Sequence, residues 1–395
     1  MYYSDFNSLK NDENTYLMQA YARYNVAFVK GEGATLWDIE GKKYIDLSSG
    51  IGVCSLGYGN KKITEAITNQ SKNLMHISNL FYTEPVVTCA KKLVENSHFK
   101  KAFFANSGAE ANECAIKIAR KYSTDNYGTH RTKIITLNNS FHGRTITTLS
   151  ATGQDKFHKY FYPFTNGFAY VNANAIEQLS VWADETTCAI MIELIQGEGG
   201  VLPLDKEYVQ SVYNLCKERD ILLIVDEVQT GIGRTGKLFC FENYDIKPNI
   251  VSLAKGLGGG LPIGAVLADE KCKNVITAGT HGTTFGGNPL ATVCANVVLD
   301  EVINDEFLNE VCKKGEYIRN KIKEFGTREI KEIRGIGLMI GLCVGEGKQA
   351  EYAKKLIENG VIVLTAGKDT IRLLPPLTIT YEEIDTALEI MKGVF

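Results

Sequence analysis

Short, unbroken apolar runs separated by longer segments of helical period restrict this chain more than any other feature. Ile221-Leu222-Leu223-Ile224-Val225 and Ile250-Val251-Ser252-Leu253-Ala254 show no period-two alternation. A strand with one wet face alternates, so such runs belong to strands covered on both faces, as in a mostly parallel sheet flanked by helices. Further strands are expected at residues 101–105, 133–137, 168–171, 188–194 and 265–268. Between them, residues 110–122 and 206–219 repeat apolar side chains three and four apart, the pattern of crossover helices in βαβ units. The fold class is therefore α/β, with a mostly parallel central sheet in a large domain.

After Asn288 the texture changes. Two helix patterns near 290–303 and 306–325 precede strands near 333–344, 361–364 and 371–374 and a closing helix from Tyr381. At the other end, residues 35–39 and 43–47 flank Glu40-Gly41 and read as a hairpin expected to pack with that carboxy-terminal part. The 395 residues allow two to three domains at about 150 residues each. The expected division is a large domain over 56–288 and a smaller α+β domain built from 1–55 and 289–395.

Charge and cysteine usage exclude several classes. Forty-three Lys plus Arg against 46 Asp plus Glu leave a net charge of -3, without the clustered cationic face that nucleic acid or anionic lipid requires. Neither is expected as a partner. The ten cysteines are scattered singly and are expected to be reduced, and no Cys/His spacing suits a metal, so none is expected. Met1-Tyr2-Tyr3-Ser4-Asp5 lacks the apolar core of an export signal, and no run approaches the roughly 18 apolar residues of a membrane span. A cytoplasmic location is expected.

Three places at strand ends carry chemistry. Ala105-Asn106-Ser107-Gly108-Ala109-Glu110 joins a strand to a helix. Free N–H groups and the dipole at a helix start suit a phosphate, although Ser107-x-x-Glu110 also reads as a capping box. Asp226-Glu227 follows the run at 221–225, at the sheet edge where ligands gather in open α/β folds. Lys255 follows the run at 250–254 and precedes Gly256-Leu257-Gly258-Gly259-Gly260, the place of a nucleophilic amine. An anion site, a carboxylate and an amine together suggest one ligand with a phosphate, a basic ring nitrogen and an aldehyde. Pyridoxal 5'-phosphate has all three, and a carboxylate beside its ring nitrogen keeps that nitrogen protonated.

Other motifs are more ambiguous. Phe141-His142-Gly143-Arg144 offers an aromatic to stack on a flat cofactor and an arginine to hold a carboxylate, or else a core residue and a surface cation. Glu193 and Glu198 flank Leu194-Ile195-Gln196-Gly197, and Arg372 lies in Ile371-Arg372-Leu373. Gly231-Ile232-Gly233-Arg234-Thr235-Gly236 matches a dinucleotide fingerprint literally, but aromatic residues and Pro248 follow instead of a helix. A nicotinamide oxidoreductase rests on that loop alone, and a tightly turned loop explains it as well.

Together the motifs resemble the class III, or ornithine-type, pyridoxal phosphate aminotransferases, from about Tyr21 to the end of the chain. The resemblance rests most on Ser107-Gly108-Ala109-Glu110-Ala111-Asn112-Glu113, Phe141-His142-Gly143-Arg144-Thr145, Asp226-Glu227-Val228-Gln229-Thr230-Gly231, Leu253-Ala254-Lys255-Gly256 and Thr284-Phe285-Gly286-Gly287-Asn288-Pro289. It implies the type I fold of pyridoxal-phosphate transferases. It implies that Lys255 bonds the cofactor and later moves the proton between the substrate carbon and the cofactor's C4′, and that Asp226 pairs with the ring nitrogen. Gln229 would meet the ring's phenolic oxygen, Phe141 would stack on it, and Ser107, Gly108 and Ala109 would hold the phosphate. Thr284 would reach the phosphate of a neighbouring subunit, making a homodimer with shared sites.

For substrates, the resemblance implies distal-amine transfer from N-acetylornithine to 2-oxoglutarate in arginine biosynthesis, in a ping-pong cycle of pyridoxal and pyridoxamine forms. Ornithine, succinylornithine and 4-aminobutyrate are the alternative donors. Arg144 would hold the donor's α-carboxylate, Arg372 the second carboxylate of 2-oxoglutarate with Glu198 masking it at other times, and Thr283 and Tyr21 would add contacts. Two departures stand out: Val53-Cys54-Ser55-Leu56-Gly57-Tyr58 where the family often has Val-Asn-x-Leu-Gly-His, and Leu194 where relatives often carry proline.

Overall fold

The computed structural model describes residue 3 and residues 5–395. Its centre is a seven-stranded sheet in the order Lys101–Ala105, Gly264–Ala268, Ile250–Leu253, Leu222–Asp226, Thr187–Ile192, Lys133–Leu137, Phe168–Val171. Only Gly264–Ala268 runs against its neighbours, pairing antiparallel on both sides. The middle strands Thr187–Ile192, Leu222–Asp226 and Ile250–Leu253 are buried at every position, which is why their sequences are continuous rather than alternating. The mostly parallel sheet and its crossover helices, Gly108–Tyr127 and Lys206–Glu218, match the expectation.

Several boundaries differ for physical reasons. The strand expected at 188–194 is Thr187–Ile192; it stops there because Glu193 turns its carboxylate to the N–H groups of Phe141 (2.8 Å) and Gly197 (3.3 Å). The strand expected at 221–225 is Leu222–Asp226, so Asp226 ends the strand and is in register with Ser252. The run at 361–364 is not one strand. Val361–Ile362 pairs in parallel with Ile45 and Asp46, whereas Leu364–Ala366 joins Thr370–Leu373 in another sheet. The region 333–344 is a hairpin of Glu332–Ile336 and Met339–Cys343.

The amino-terminal hairpin Thr35–Asp38 and Lys43–Asp46 forms as expected, and its pairing with Val361–Ile362 joins the two chain ends in one four-stranded sheet. The large and carboxy-terminal parts share a continuous core, from Ile135 and Val225 to Leu373 and Met391. The Gly231–Gly236 loop lies between them as a tight turn and starts no α-helix. Buried Arg234 donates to Leu338 O (3.2 Å) and Pro375 O (2.5 Å), and a Cβ on Gly236 would overlap Cys312 Sγ. Its glycines serve close packing. All ten cysteines are unpaired, and no helix among the described residues is long and apolar enough to cross a membrane.

Candidate active site

A cleft of about 470 Å³ opens at the carboxyl edge of the parallel strands, where the chain leaves the sheet and side chains can turn inward. Its floor is Asp226, which is 4% exposed. Asp226 Oδ2 accepts from Asn112 Nδ2 (2.7 Å) and His142 Nδ1 (2.8 Å), and Oδ1 accepts from the Val228 N–H (3.0 Å). Three donors hold a carboxylate that would otherwise be costly at this depth. Asn112 Nδ2 also reaches His142 O at 2.7 Å, so helix, loop and strand end are tied at one point.

Lys255 lines the same cleft, at the start of a short 3-10 turn Lys255–Gly258. Its φ of +44° is rare for a side chain with a Cβ, and such strain persists only where the surroundings enforce it. Part of that enforcement is visible in Ser55 Oγ, which donates to Gly256 O at 2.9 Å. Burial lowers the Lys255 amine to a pKa of about 8, with the Arg372 charge acting in the same sense and Glu198, Asp226 and Glu193 opposing. An amine at that value is neutral and nucleophilic in about a tenth of molecules at pH 7, several hundred times the share of an ordinary surface lysine.

The phosphate-like end is the start of helix Gly108–Tyr127. Ser107 caps it, its hydroxyl accepting from Glu110 N (3.2 Å) and contacting Glu110 Oε2 (3.2 Å). The other first-turn N–H groups, at Gly108 and Ala109, have no partner within a helix and lie on the cleft wall. Capping and anion binding are thus compatible here. Gly108 is required by packing, since a Cβ there would lie 2.6 Å from Val228 Cγ1. Phe141 and Gln229 complete this part of the lining, and the Thr230 hydroxyl is buried beside it without a partner.

Glu198 faces the cleft with Arg372 behind it. The Arg372 guanidinium is 2% exposed and donates to Glu198 Oε1 (2.6 Å) and Gln229 Oε1 (3.1 Å). Burial raises the Glu198 pKa, but the Arg372 charge and hydrogen bond outweigh it and leave the carboxyl below its ordinary value. Gly197 has no side chain because one would fall 2.4 Å from Gln229 Oε1 and break this contact. Glu193, fully buried nearby, is pushed upward by burial against the pull of His142. Arg144 stands exposed at the mouth.

Lys255, Asp226, Ser107, Gly108, Ala109, Phe141, Gln229, Arg144 and Glu198 therefore line one cleft, and Arg372 backs it. Thr283 is one contact removed, its hydroxyl accepting from Asn106 Nδ2 at 3.3 Å. Thr284 is exposed and does not line the cleft of its own chain. Tyr21, 73% exposed, sits in a separate hollow of the amino-terminal segment with the Arg23 cation over its ring. Asn112, His142 and Asn106 belong to the site although sequence reasoning gave them no role. For Asn112 a signal existed: it is an amide on the buried side of a helix whose neighbours Ala111 and Ala115 are core residues.

The family model for aminotransferase class-III matches residues 16–395. The chain is 50% identical over 384 residues to an acetylornithine aminotransferase of Caldanaerobacter subterraneus subsp. tengcongensis, covering 97% of this chain and 98% of that one. It is 48% identical to an acetylornithine aminotransferase of Haemophilus ducreyi, covering 98% of each. Among solved structures, the ornithine aminotransferase from Toxoplasma gondii, which has partial occupancy of PLP at its active site, superposes with a TM-score of 0.95 at 32% identity, covering 99% of this chain and 94% of that one.

Proposed function

The chain belongs to the class-III aminotransferases, and on that premise we propose that it transfers the distal amino group of N-acetylornithine to 2-oxoglutarate, with pyridoxal 5'-phosphate bound in the cleft. The observation that carries this reading is the pairing of a depressed lysine amine, Lys255, with a buried carboxylate, Asp226, in one cleft that Arg144 lines at its mouth and Arg372 backs. The residues fit the cofactor: a helix start for its phosphate, Phe141 for its ring, Asp226 for its ring nitrogen, Gln229 for its phenolic oxygen and Lys255 for its aldehyde. When bound, the cofactor supplies a carbonyl that takes up the amino group and a protonated ring that draws off electron density.

The protein's own part follows from charge and position. Lys255 Nζ, an amine whose pKa burial lowers to about 8, would take the proton from the substrate carbon and deliver it to the cofactor's C4′, ending as the neutral amine again. Asp226, its oxygens fixed by Asn112, His142 and the Val228 N–H, would keep a proton on the ring nitrogen. Arg144 holds the α-carboxylate, which leaves the distal amine to reach the reacting centre. The donor brings one carboxylate and 2-oxoglutarate brings two. Arg372 meets the second when Glu198 swings away and is neutralised by Glu198 otherwise.

Arg372→Ala should therefore slow the 2-oxoglutarate half-reaction by about 10- to 100-fold, the worth of a charge-assisted hydrogen bond, and the donor half-reaction much less. Single-turnover assays of each half check this, and equal losses contradict the exchange. Donor identity is tested by product formation with N-acetylornithine, ornithine, succinylornithine and 4-aminobutyrate in turn. N-acetylornithine should give the highest kcat/KM, and a preference for another donor replaces this reading within the family.

The same reading makes the working unit a homodimer. Thr284 projects from a loop that Asn79 Nδ2 ties, through Thr283 O (3.1 Å) and Gly286 O (3.0 Å), to a stretch where Leu80, Phe81 and Tyr82 are exposed beside the also exposed Phe285. An apolar patch of that kind suits a second copy, and it would carry Thr284 to the neighbouring phosphate.

A further inference from the structure

Arg144 has an unusual setting for a cleft cation. Among the described residues it enters no ion pair and no side-chain hydrogen bond; it rests on aromatic faces. Its guanidinium carbon lies 4.1 Å from the centre of the Phe157 ring and 5.5 Å from that of Phe141. The two rings meet nearly edge to face, with centres 5.8 Å apart at 73°. An aromatic face attracts a guanidinium electrostatically but consumes none of its N–H donors. A protein carboxylate would fix the arginine equally well and would neutralise it. The rings fix it and leave both its charge and its fork available.

Phe157 is itself held in place. It ends the 3-10 turn Asp155–Phe157, and its N–H donates to Gln154 O at 3.0 Å. The buried Gln154 side chain donates to Asn139 O (3.3 Å) and Ser140 O (3.0 Å), on the loop that enters Phe141. On the other side, His158 Nε2 meets Leu149 O at 2.8 Å, in the helix Ile146–Ala151 that follows Arg144. The turn is thus tied both before and after the segment that carries Arg144. Lys156 Nζ lies 4.8 Å from the same ring, adding positive charge at the mouth.

We propose that Phe157 is a positioning residue for substrate carboxylates: its ring face holds the Arg144 guanidinium uncompensated and correctly oriented at the cleft mouth. The inference rests on the reading of Arg144 as the carboxylate receptor for donor and acceptor. Phe157 touches neither substrate nor cofactor in this role, so its loss affects binding rather than the chemical step.

The test uses the cofactor-loaded enzyme and glutarate, an unreactive five-carbon dicarboxylate, titrated by calorimetry beside steady-state kinetics. Phe157→Leu, which keeps apolar bulk and removes the ring, should raise the glutarate Kd and both substrate KM values about three- to tenfold, the worth of a partly exposed cation–π contact, with kcat little changed. Phe157→Tyr keeps the ring face and should restore binding nearly to the parent value. Unchanged glutarate binding in Phe157→Leu overturns the proposal, as does a Tyr variant that loses as much as the Leu variant, because packing alone would then explain the effect. Arg144→Gln in parallel separates the two layers of the argument. If it leaves glutarate binding intact, the receptor reading of Arg144 falls and the proposal with it; if it abolishes binding while Phe157→Leu leaves the glutarate Kd unchanged, only the role of Phe157 falls.

Discussion

Lys255→Ala should reduce aminotransfer by about 10³-fold or more, since it removes both a covalent attachment and a proton carrier that act on the same atoms. The pocket around it should survive, because alanine keeps the Cβ at this left-handed position, φ +44°, adding no new strain, and leaves the Ser55 to Gly256 hydrogen bond in place. A melting temperature near the parent's with activity lost is the expected pairing. The same amine can be followed without catalysis. Reaction of the cofactor-free protein with trinitrobenzenesulfonate, read at the Lys255 peptide, rises with pH as the amine loses its proton, so a depressed pKa moves the rise to lower pH. Its midpoint should lie near pH 8 rather than 10.5. A profile like that of a surface lysine contradicts the electrostatic account.

Asp226→Ala should cost about 10³-fold in kcat, equivalent to roughly 4 kcal/mol of transition-state stabilisation at 1.36 kcal/mol per tenfold. Without the carboxylate, nothing in the cleft favours the protonated ring nitrogen. The substitution also strands three buried donors, from Asn112, His142 and Val228, so the melting temperature should fall as well. Chemical rescue separates the two effects. Pyridoxal 5'-phosphate methylated at the ring nitrogen carries a fixed positive charge and should return part of the activity to Asp226→Ala without restoring its stability. If the methylated cofactor binds and returns nothing, the role assigned to Asp226 is wrong.

How far the sequence was legible follows from the range of the interactions. The central sheet could be read because burial on both faces leaves a local mark, as in Ile250-Val251-Ser252-Leu253. Lys255 and Asp226 could be read because each sits at the end of such a run. Their supports could not: His142 and Asn112 reach Asp226 across 84 and 114 residues, and no local pattern records that meeting. The division of 361–366 between two sheets was hidden for the same reason, since both pieces are short and apolar and only their partners distinguish them.

Other features fall outside ordinary pattern reading. The helix Phe6–Tyr16 has no buried residue and so shows no apolar stripe. The turn Ser49–Gly52 is left-handed throughout, including Ser49 (φ +42°) and Ile51 (φ +64°), which a reader of the sequence would place elsewhere. Backbone strain of this kind is enforced by tertiary contacts, here Ser49 Oγ donating to Leu374 O at 2.6 Å. The Arg372–Glu198 pair was expected from family resemblance alone, and its two halves lie 174 residues apart.

The central claim is that this cleft exchanges an amino group between two substrates through one bound cofactor. It is tested most directly by mixing the cofactor-loaded enzyme with N-acetylornithine and no acceptor, following the visible absorbance of the bound pyridoxal. The account predicts that the band disappears with release of one semialdehyde per active site, and that 2-oxoglutarate then restores it with one glutamate formed. A band that N-acetylornithine leaves unchanged, or a loss of colour that 2-oxoglutarate does not reverse, contradicts it.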